Sequence, residues 1–143
     1  MTDARQPWTQ WISDETITAL YAEGIKRWGG AGSPPQPGCI DGALGAAYNA
    51  EQYSPETEEG GGILPGLIFC GYLLFYLPTE HCYLDGNKRI AWACAMFVLL
   101  NFGLTIEATE AEVIEFCLSI SRGEIRHGSE CVLWMADRLT SVS

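Results

Sequence analysis

The chain has 143 residues, 48% of them hydrophobic and 18% charged, and it carries a formal net charge of -10 with a sequence pI near 4.4. This length and composition predict one globular domain with a substantial core and exclude general disorder. Because only eight residues are lysine or arginine, the chain lacks the basic faces that bind nucleic-acid phosphates, so we expect no nucleic-acid partner.

The start of the chain is predicted to be a tail followed by the domain. Residues 1–12 form the tail, and the domain spans 13–143. Trp8 and Trp11 are large and apolar, so we expect the tail to fold back on the body of the domain.

Two helices are predicted in the first third of the chain. Ser13 is typical of an N-cap, and apolar residues recur at helical spacing as far as Trp28, where a glycine pair ends the helix. After a loop rich in glycine and proline over residues 29–42, Asp41 is expected to cap a short helix that runs through Tyr48.

Two apolar helices are predicted over residues 63–77 and 87–102, and both should be buried as a central pair. The first is shorter than the ~20 residues that a membrane span needs, and Pro78-Thr79-Glu80 closes it, so we expect a core helix and no membrane partner. An acidic, glycine-tipped segment from Tyr53 to Gly62 precedes the pair. We interpret it as a surface loop or a flap beside a substrate, with at most a small hairpin over 51–62.

Two further helices are predicted near the C-terminus. Thr109 with Glu112 matches a capping box for the first of them, and Ser129 is expected to cap the second. No long run of alternating apolar and polar residues indicates a strand. The fold class is therefore predicted to be all-α, a compact helical bundle.

The chain contains six cysteines without a CxxC pair or an N-terminal signal peptide. They are Cys39, Cys70, Cys82, Cys94, Cys117 and Cys131. Three of them lie inside apolar helical segments. We therefore expect free, buried thiols in a cytoplasmic protein rather than disulfides, and no zinc site.

A polar segment, His81-Cys82-Tyr83-Leu84-Asp85-Gly86-Asn87-Lys88-Arg89, separates the two core helices. Titratable groups between two buried helices are unfavourable unless they have a function. Lys88 and Arg89 also oppose the acidic balance of the chain, which an anionic ligand would explain.

The glycine of this segment predicts where the second core helix begins. Gly86 is suited to the positive φ of a tight turn, and Asn87 is then the first helical residue. The unpaired N–H groups from Asn87 onward, together with the helix dipole, predict a binding site for a phosphate group. Lys88 and Arg89 are expected to add charge-assisted hydrogen bonds to the same group.

Two further residues of the segment are candidates for chemistry. Asp85, just before the helix, is a candidate ligand for Mg²⁺, which binds one or two carboxylates together with phosphate oxygens. His81, four residues earlier, is a candidate base for an incoming hydroxyl. The pattern is not that of a Walker P-loop, which requires GxxxxGK[ST] after a strand.

The segment His81-x-x-x-Asp85-Gly86-Asn87-Lys88-Arg89 resembles the signature of the Fic/Doc superfamily, and its Asn-Lys-Arg ending is similar to that of the Doc (death-on-curing) branch. The Fic branch has Gly-Asn-Gly-Arg and a second arginine three residues on, where this chain has Trp92. The resemblance covers about residues 13–125. It implies a Fic/Doc-like helical bundle in which the central helix pair flanks an active-site loop.

For this chain, the resemblance implies a toxin that transfers the γ-phosphate of ATP to a hydroxyl of elongation factor Tu and so blocks translation. The implied residues are the base His81, the Mg²⁺ ligand Asp85, the ATP-binding Gly86 and Asn87, and Lys88 and Arg89, which serve both ATP binding and catalysis. No Ser/Thr-x-x-x-Glu-Gly/Asn inhibitory motif is found, so a separate antitoxin is implied as well.

Two alternatives stay open. One is a Fic-type transferase of AMP or another nucleotidyl group onto a protein hydroxyl, and the other is a catalytically silent Fic-fold binding protein. Lys88 replaces the second glycine of the Fic signature and fills the space that Fic enzymes leave for a phosphate. That replacement favours the kinase.

Overall fold

The computed structural model describes residues 7–30, 32–53 and 66–142. A 3-10 helix, Pro7–Gln10, precedes six α-helices in this part of the chain. They are α1 (Asp14–Trp28), α2 (Cys39–Gln52), α3 (Leu67–Glu80), α4 (Asn87–Asn101), α5 (Glu110–Ser121) and α6 (Gly128–Ala136). Two three-residue strands, β1 (Leu104–Ile106) and β2 (Leu139–Ser141), complete the fold. The mostly helical architecture confirms the all-α class.

Helix α3 is the centre of the molecule. It is apolar on all sides, with nine buried residues between Leu67 and Pro78, and such a helix must be surrounded by other elements. It packs against α2, α4 and α6. The prediction of two buried core helices is therefore confirmed by α3 and α4. Within the described ranges, no helix combines the length and the apolar character that a membrane crossing requires.

The N-terminal segment folds back as predicted. Trp8 is 8% exposed and Ile12 is 2% exposed, so both belong to the core. The ring of Trp11 lies 4.8 Å from that of Phe69 on α3, centroid to centroid. At the start of α1, the Ser13 hydroxyl accepts the N–H of Thr16 at 3.2 Å, which confirms the predicted N-cap.

Two other predicted caps are wrong. Asp41 is not an N-cap, because α2 begins two residues earlier, after Gly38 turns the chain at φ 75 without a side-chain cap. Ser129 lies inside α6, whose N-cap is His127. The Glu130 carboxylate, in the first turn, accepts the N–H of His127 at 3.0 Å and so ties the start of α6 to its N-cap residue.

Predictions for two further helix ends can be compared with the structure. The capping box of α5 is confirmed, since Thr109 N–H donates to Glu112 at 2.8 Å and Glu112 N–H donates to the Thr109 hydroxyl at 3.1 Å. Helix α3 ends at Glu80, within the predicted closing segment Pro78-Thr79-Glu80 and three residues past the expected helix end at Leu77. The Thr79 hydroxyl donates to the carbonyl of Phe75 at 2.9 Å and so helps to satisfy the last turn.

The small sheet lies away from the segment where a hairpin was expected. Strands β1 and β2 pair antiparallel, with Thr105 opposite Thr140. They join the chain after α4 to the chain after α6. The segment expected to form a flap or hairpin lies, from residue 54 onward, outside the described residues.

The prediction of six free thiols is wrong for two of them. Cys39 and Cys82 form a disulfide, with Cα atoms 5.4 Å apart although 43 residues separate them in sequence. Local spacing could not reveal this pair, because only the packing of α2 beside the end of α3 brings them together. The other four cysteines are free and buried, as predicted: Cys70, Cys94, Cys117 and Cys131.

Candidate functional site

The polar segment of the sequence forms a loop, residues 81–86, between the buried helices α3 and α4. It begins at His81, which ends α3 in the left-handed conformation, φ 52 and ψ 51. His81 is the one non-glycine residue with positive φ in the described ranges, and this conformation costs a residue with a Cβ about 1–2 kcal/mol. Its side chain is exposed. Neighbouring contacts must therefore hold the backbone of His81 in this conformation, while its side chain remains accessible at the surface.

The segment before α2 holds the start of this loop. The side-chain amide of Gln36 donates to the carbonyl of His81 at 3.2 Å, and its backbone N–H donates to the carbonyl of Cys82 at 2.8 Å. The disulfide joins the same Cys82 to Cys39, the first residue of α2. Three links therefore connect one side of the loop to residues 36–39.

Aromatic packing anchors the middle of the loop. Tyr83 is 4% exposed, and its ring stacks on that of Tyr21 at a centroid distance of 3.7 Å and an interplanar angle of 10°. The Tyr21 hydroxyl also donates to the carbonyl of Asp85 at 2.9 Å. Tyr83 resists ionisation, since burial raises its pKa to about 12. Helix α1 thus fixes the loop two residues before α4.

The side chain of Asn87 closes the loop on itself. Its amide oxygen accepts the N–H of Tyr83 at 2.9 Å, and its amide nitrogen donates to the carbonyl of Tyr83 at 2.7 Å. The resemblance implies that Asn87 binds ATP. In the structure its amide oxygen and one N–H of its amide are engaged within the loop, so the second amide N–H and the backbone N–H are the donors left for a ligand.

The start of α4 agrees with the sequence prediction. Gly86 has φ 82, and Asn87 is the first helical residue. The Gly86 N–H is bound by the Asp85 carboxylate at 2.8 Å. Within the described part of the chain, the N–H groups of the next three residues have no hydrogen-bond acceptor. These three donors and the helix dipole suit an anion.

Asp85 lies where α1 and α4 meet. A Cβ atom placed on Gly30 would lie 2.6 Å from its second carboxylate oxygen, so only glycine allows this approach. The side chain is exposed, and the described residues contain no group of three or more histidine, cysteine or acidic side chains that could hold a metal. A single carboxylate beside an anion site fits Mg²⁺ that is bound mainly through phosphate oxygens and water.

The two adjacent cations turn to different neighbours. Arg89 donates through Nη1 to the carbonyls of Gly24 and Gly29, at 3.2 and 3.3 Å, and its guanidinium lies 6.0 Å from the ring centroid of Trp28. Lys88 is exposed. Burial raises the pKa of Cys117 on α5 to about 11, and the positive charge of Lys88 partly offsets this rise. The structure therefore brings Asp85 and the α4 N-terminus together but ties Arg89 to α1.

The cavities beside the loop are small. One of about 30 Å³ lies between α1 and α4, against Tyr21, Gly86 and Arg89. Another of about 180 Å³ lies between the start of α1, residues 35–38 and Tyr83. Pockets that enclose a ligand of this size class have volumes of roughly 300–1,000 Å³. A nucleotide at this site would therefore lie over the surface of the described elements and not inside either cavity.

Three residues that organise the site were not singled out from the sequence as site residues. Tyr21, Gln36 and Cys39 reach the loop from 43 or more residues away. In the sequence, Tyr21 is one of the apolar positions of α1, and Gln36 is one residue of a proline-rich loop. The residues around them do not indicate that either contacts the loop 81–86. No family model and no curated protein sequence matches this chain.

Proposed function

We propose that the chain is a Doc-like protein kinase toxin that transfers the γ-phosphate of ATP to a hydroxyl of a cytoplasmic translation factor, an elongation factor Tu-like target. In this proposal a separate antitoxin silences it. The observation that carries the proposal is the start of α4, where three unpaired N–H groups follow Gly86 directly and the Asp85 carboxylate lies beside them.

The positions of the residues support the following proposed roles. The N–H groups at the start of α4 would bind phosphate oxygens, and exposed Lys88 would add a positive charge to the same turn. Asp85 would hold Mg²⁺ on those oxygens and thereby neutralise developing charge. Phosphoryl transfer depends mostly on such positioning and neutralisation.

The exposed His81 would act as the base. It would accept the proton of the target hydroxyl while the hydroxyl oxygen forms its bond to the γ-phosphorus and the bond from that phosphorus to the β–γ bridging oxygen breaks, leaving ADP. Arg89 would contribute indirectly, because its hydrogen bonds to the carbonyls of Gly24 and Gly29 hold α1 against α4.

The nature of the transferred group is tested with ATP labelled at either the α or the γ phosphorus, added to a bacterial lysate that contains translation factors. We expect label on a protein of the size of elongation factor Tu from the γ position alone. Label from the α position would replace the kinase with a nucleotidyl transferase. No label from either position, with ATP binding intact, would indicate a silent binding protein.

The chain offers a matched control for His81 and for Lys88, since it contains two histidines and two lysines. We expect His81→Ala to lower transfer by about 10²- to 10⁴-fold, whereas His127→Ala should leave it unchanged. Lys88→Ala should lower transfer by at least about tenfold, whereas Lys26→Ala, on the exposed face of α1, should not. If His81→Ala is as active as His127→Ala, His81 is not the base. If Lys88→Ala is as active as Lys26→Ala, Lys88 does not bind the phosphate.

A further inference from the structure

The Cys39–Cys82 disulfide connects the loop 81–86 to the start of α2, so breaking the bond would remove a covalent constraint on the loop. Cys82 follows His81 directly, and Cys39 is the first residue of α2. The bond therefore joins the loop to a different helix, next to the one non-glycine residue that the described structure holds at positive φ. Opening the bond would leave two hydrogen bonds from Gln36 as the links between this end of the loop and residues 36–39.

We propose that the Cys39–Cys82 disulfide is a redox switch for the loop 81–86. With the bond formed, the loop keeps the arrangement described above, and reduction by a dithiol protein of the thioredoxin class releases it. The part of this inference that concerns transfer rests on the proposed function, since it makes the oxidised form the more active one.

The accessibility of the two sulfurs defines the order of the reaction. Cys39 is partly exposed, whereas Cys82 is 1% exposed. A thiolate of the reductant would attack the sulfur of Cys39, and the electron pair of the broken bond would leave on Cys82, which then takes up a proton. The second thiol of the reductant would displace Cys39 from the mixed disulfide. Two electrons and two protons pass to the protein, and the reductant becomes a disulfide.

The other cysteines do not compete for this chemistry. All four are free and buried, and burial raises the pKa of Cys94 and Cys131 to about 12 and that of Cys117 to about 11. They therefore hold little thiolate at neutral pH, and thiolate is the form that exchanges with disulfides. One oxidisable pair coexists with thiols that are protected from exchange, which confines the redox response to the loop.

The central test measures amide hydrogen exchange of the full chain before and after reduction by thioredoxin. The informative amides are those of Tyr83, Leu84 and Gly86, which are hydrogen-bonded in the structure to Asn87, to the Ser33 hydroxyl and to Asp85. We expect their exchange to rise about tenfold or more on reduction, with the amides of α3 unchanged.

Variants separate the switch from general effects of the reductant. Cys39→Ser should show fast loop exchange with or without thioredoxin. Cys70→Ser removes a buried free thiol whose hydrogen bond to the carbonyl of Ala95 serine can retain, and it should respond to thioredoxin like the unmodified protein. Unchanged loop exchange on reduction, or an equal rise across α3, would overturn the proposal.

A second measurement concerns regulation of transfer. The rate of γ-phosphate transfer should fall several-fold on reduction, and Cys39→Ser should show the low rate in both conditions. Equal rates in the two redox states, with loop exchange altered, would overturn the regulatory claim. If neither state transfers phosphate and the loop still responds, the proposed kinase function fails while the redox switch of the loop stands.

Discussion

The buried carboxylate of Glu51 provides a direct test of how the core is held together. Glu51 lies at the end of α2, is 5% exposed, and accepts the N–H of Phe69 at 2.9 Å. Phe69 is in the first turn of α3, whose N-cap, Gly66, has no side chain. The carboxylate of one helix thus satisfies the buried N-terminus of the next, and we examine Glu51→Ala and Glu51→Gln.

The two substitutions should differ in size. Alanine leaves the Phe69 N–H without its acceptor in a buried place, which costs about 1–3 kcal/mol, and it also removes packing volume. We therefore expect Glu51→Ala to lower the free energy of unfolding by about 3 kcal/mol. Glutamine keeps one oxygen that can accept the same N–H, but its NH2 group cannot accept from the other N–H groups at the start of α3. Glu51→Gln should therefore lower the free energy of unfolding by about 1 kcal/mol, less than alanine does.

The same residue predicts a pH dependence. Burial raises the pKa of Glu51 above its ordinary value of 4.5, and the backbone N–H groups at the start of α3 only partly oppose that rise. The folded state therefore holds the proton more tightly than the unfolded state. This contribution to stability is present in full below pH 4.5 and is lost as the pH rises through the higher folded pKa.

Urea denaturation followed by circular dichroism at a series of pH values measures both effects. The variant Glu110→Gln is the control, because Glu110 is exposed in the first turn of α5 and should change stability by less than about 0.5 kcal/mol. The reasoning fails if Glu51→Ala is as stable as the control. It also fails if Glu51→Gln keeps the pH dependence of the unmodified protein above its ordinary pKa.

Two further predictions concern packing at the site and in the core. Tyr21→Phe removes the 2.9 Å hydrogen bond to the Asp85 carbonyl but keeps the stacked ring, so the free energy of unfolding should fall by about 1 kcal/mol; an unchanged urea midpoint would contradict this. Gly71→Ala would place a Cβ 2.8 Å from the backbone nitrogen of Val132 and should destabilise by about 1–3 kcal/mol. Gly42→Ala, in α2 with no atom within 4 Å of the new Cβ, should instead stabilise by up to about 1 kcal/mol in the same denaturation assay.

Much of the fold could be predicted because its signals are local. The Ser13 cap and the Thr109–Glu112 capping box act over three residues, and the apolar runs of α3 and α4 require burial whatever surrounds them. Errors arose where a nearby residue replaced the expected one. At α2 a left-handed glycine precedes the helix, and at α6 the N-cap is His127, two residues before Ser129.

The candidate site divides in the same way. The turn at Gly86 and the start of α4 at Asn87 were predictable, because glycine adopts the positive φ of a tight turn before a helix without steric cost. The occupation of the Asn87 side chain was not, since an amide can bind a ligand or its own loop with equal chemistry. The direction taken by Arg89 depended on the carbonyls at the end of α1, 60 and 65 residues away.

The helical class, the two apolar core helices and the polar loop with a glycine turn between them can all be predicted from the amino-acid sequence. These properties follow from periodicity, composition and backbone freedom within a few residues. The contacts of Cys39 with Cys82, of Tyr21 with Asp85 and of Glu51 with the start of α3 arise from tertiary packing. Each of these pairs is separated by 18 to 64 residues, so the contact depends on how whole helices pack and leaves no local trace in the sequence.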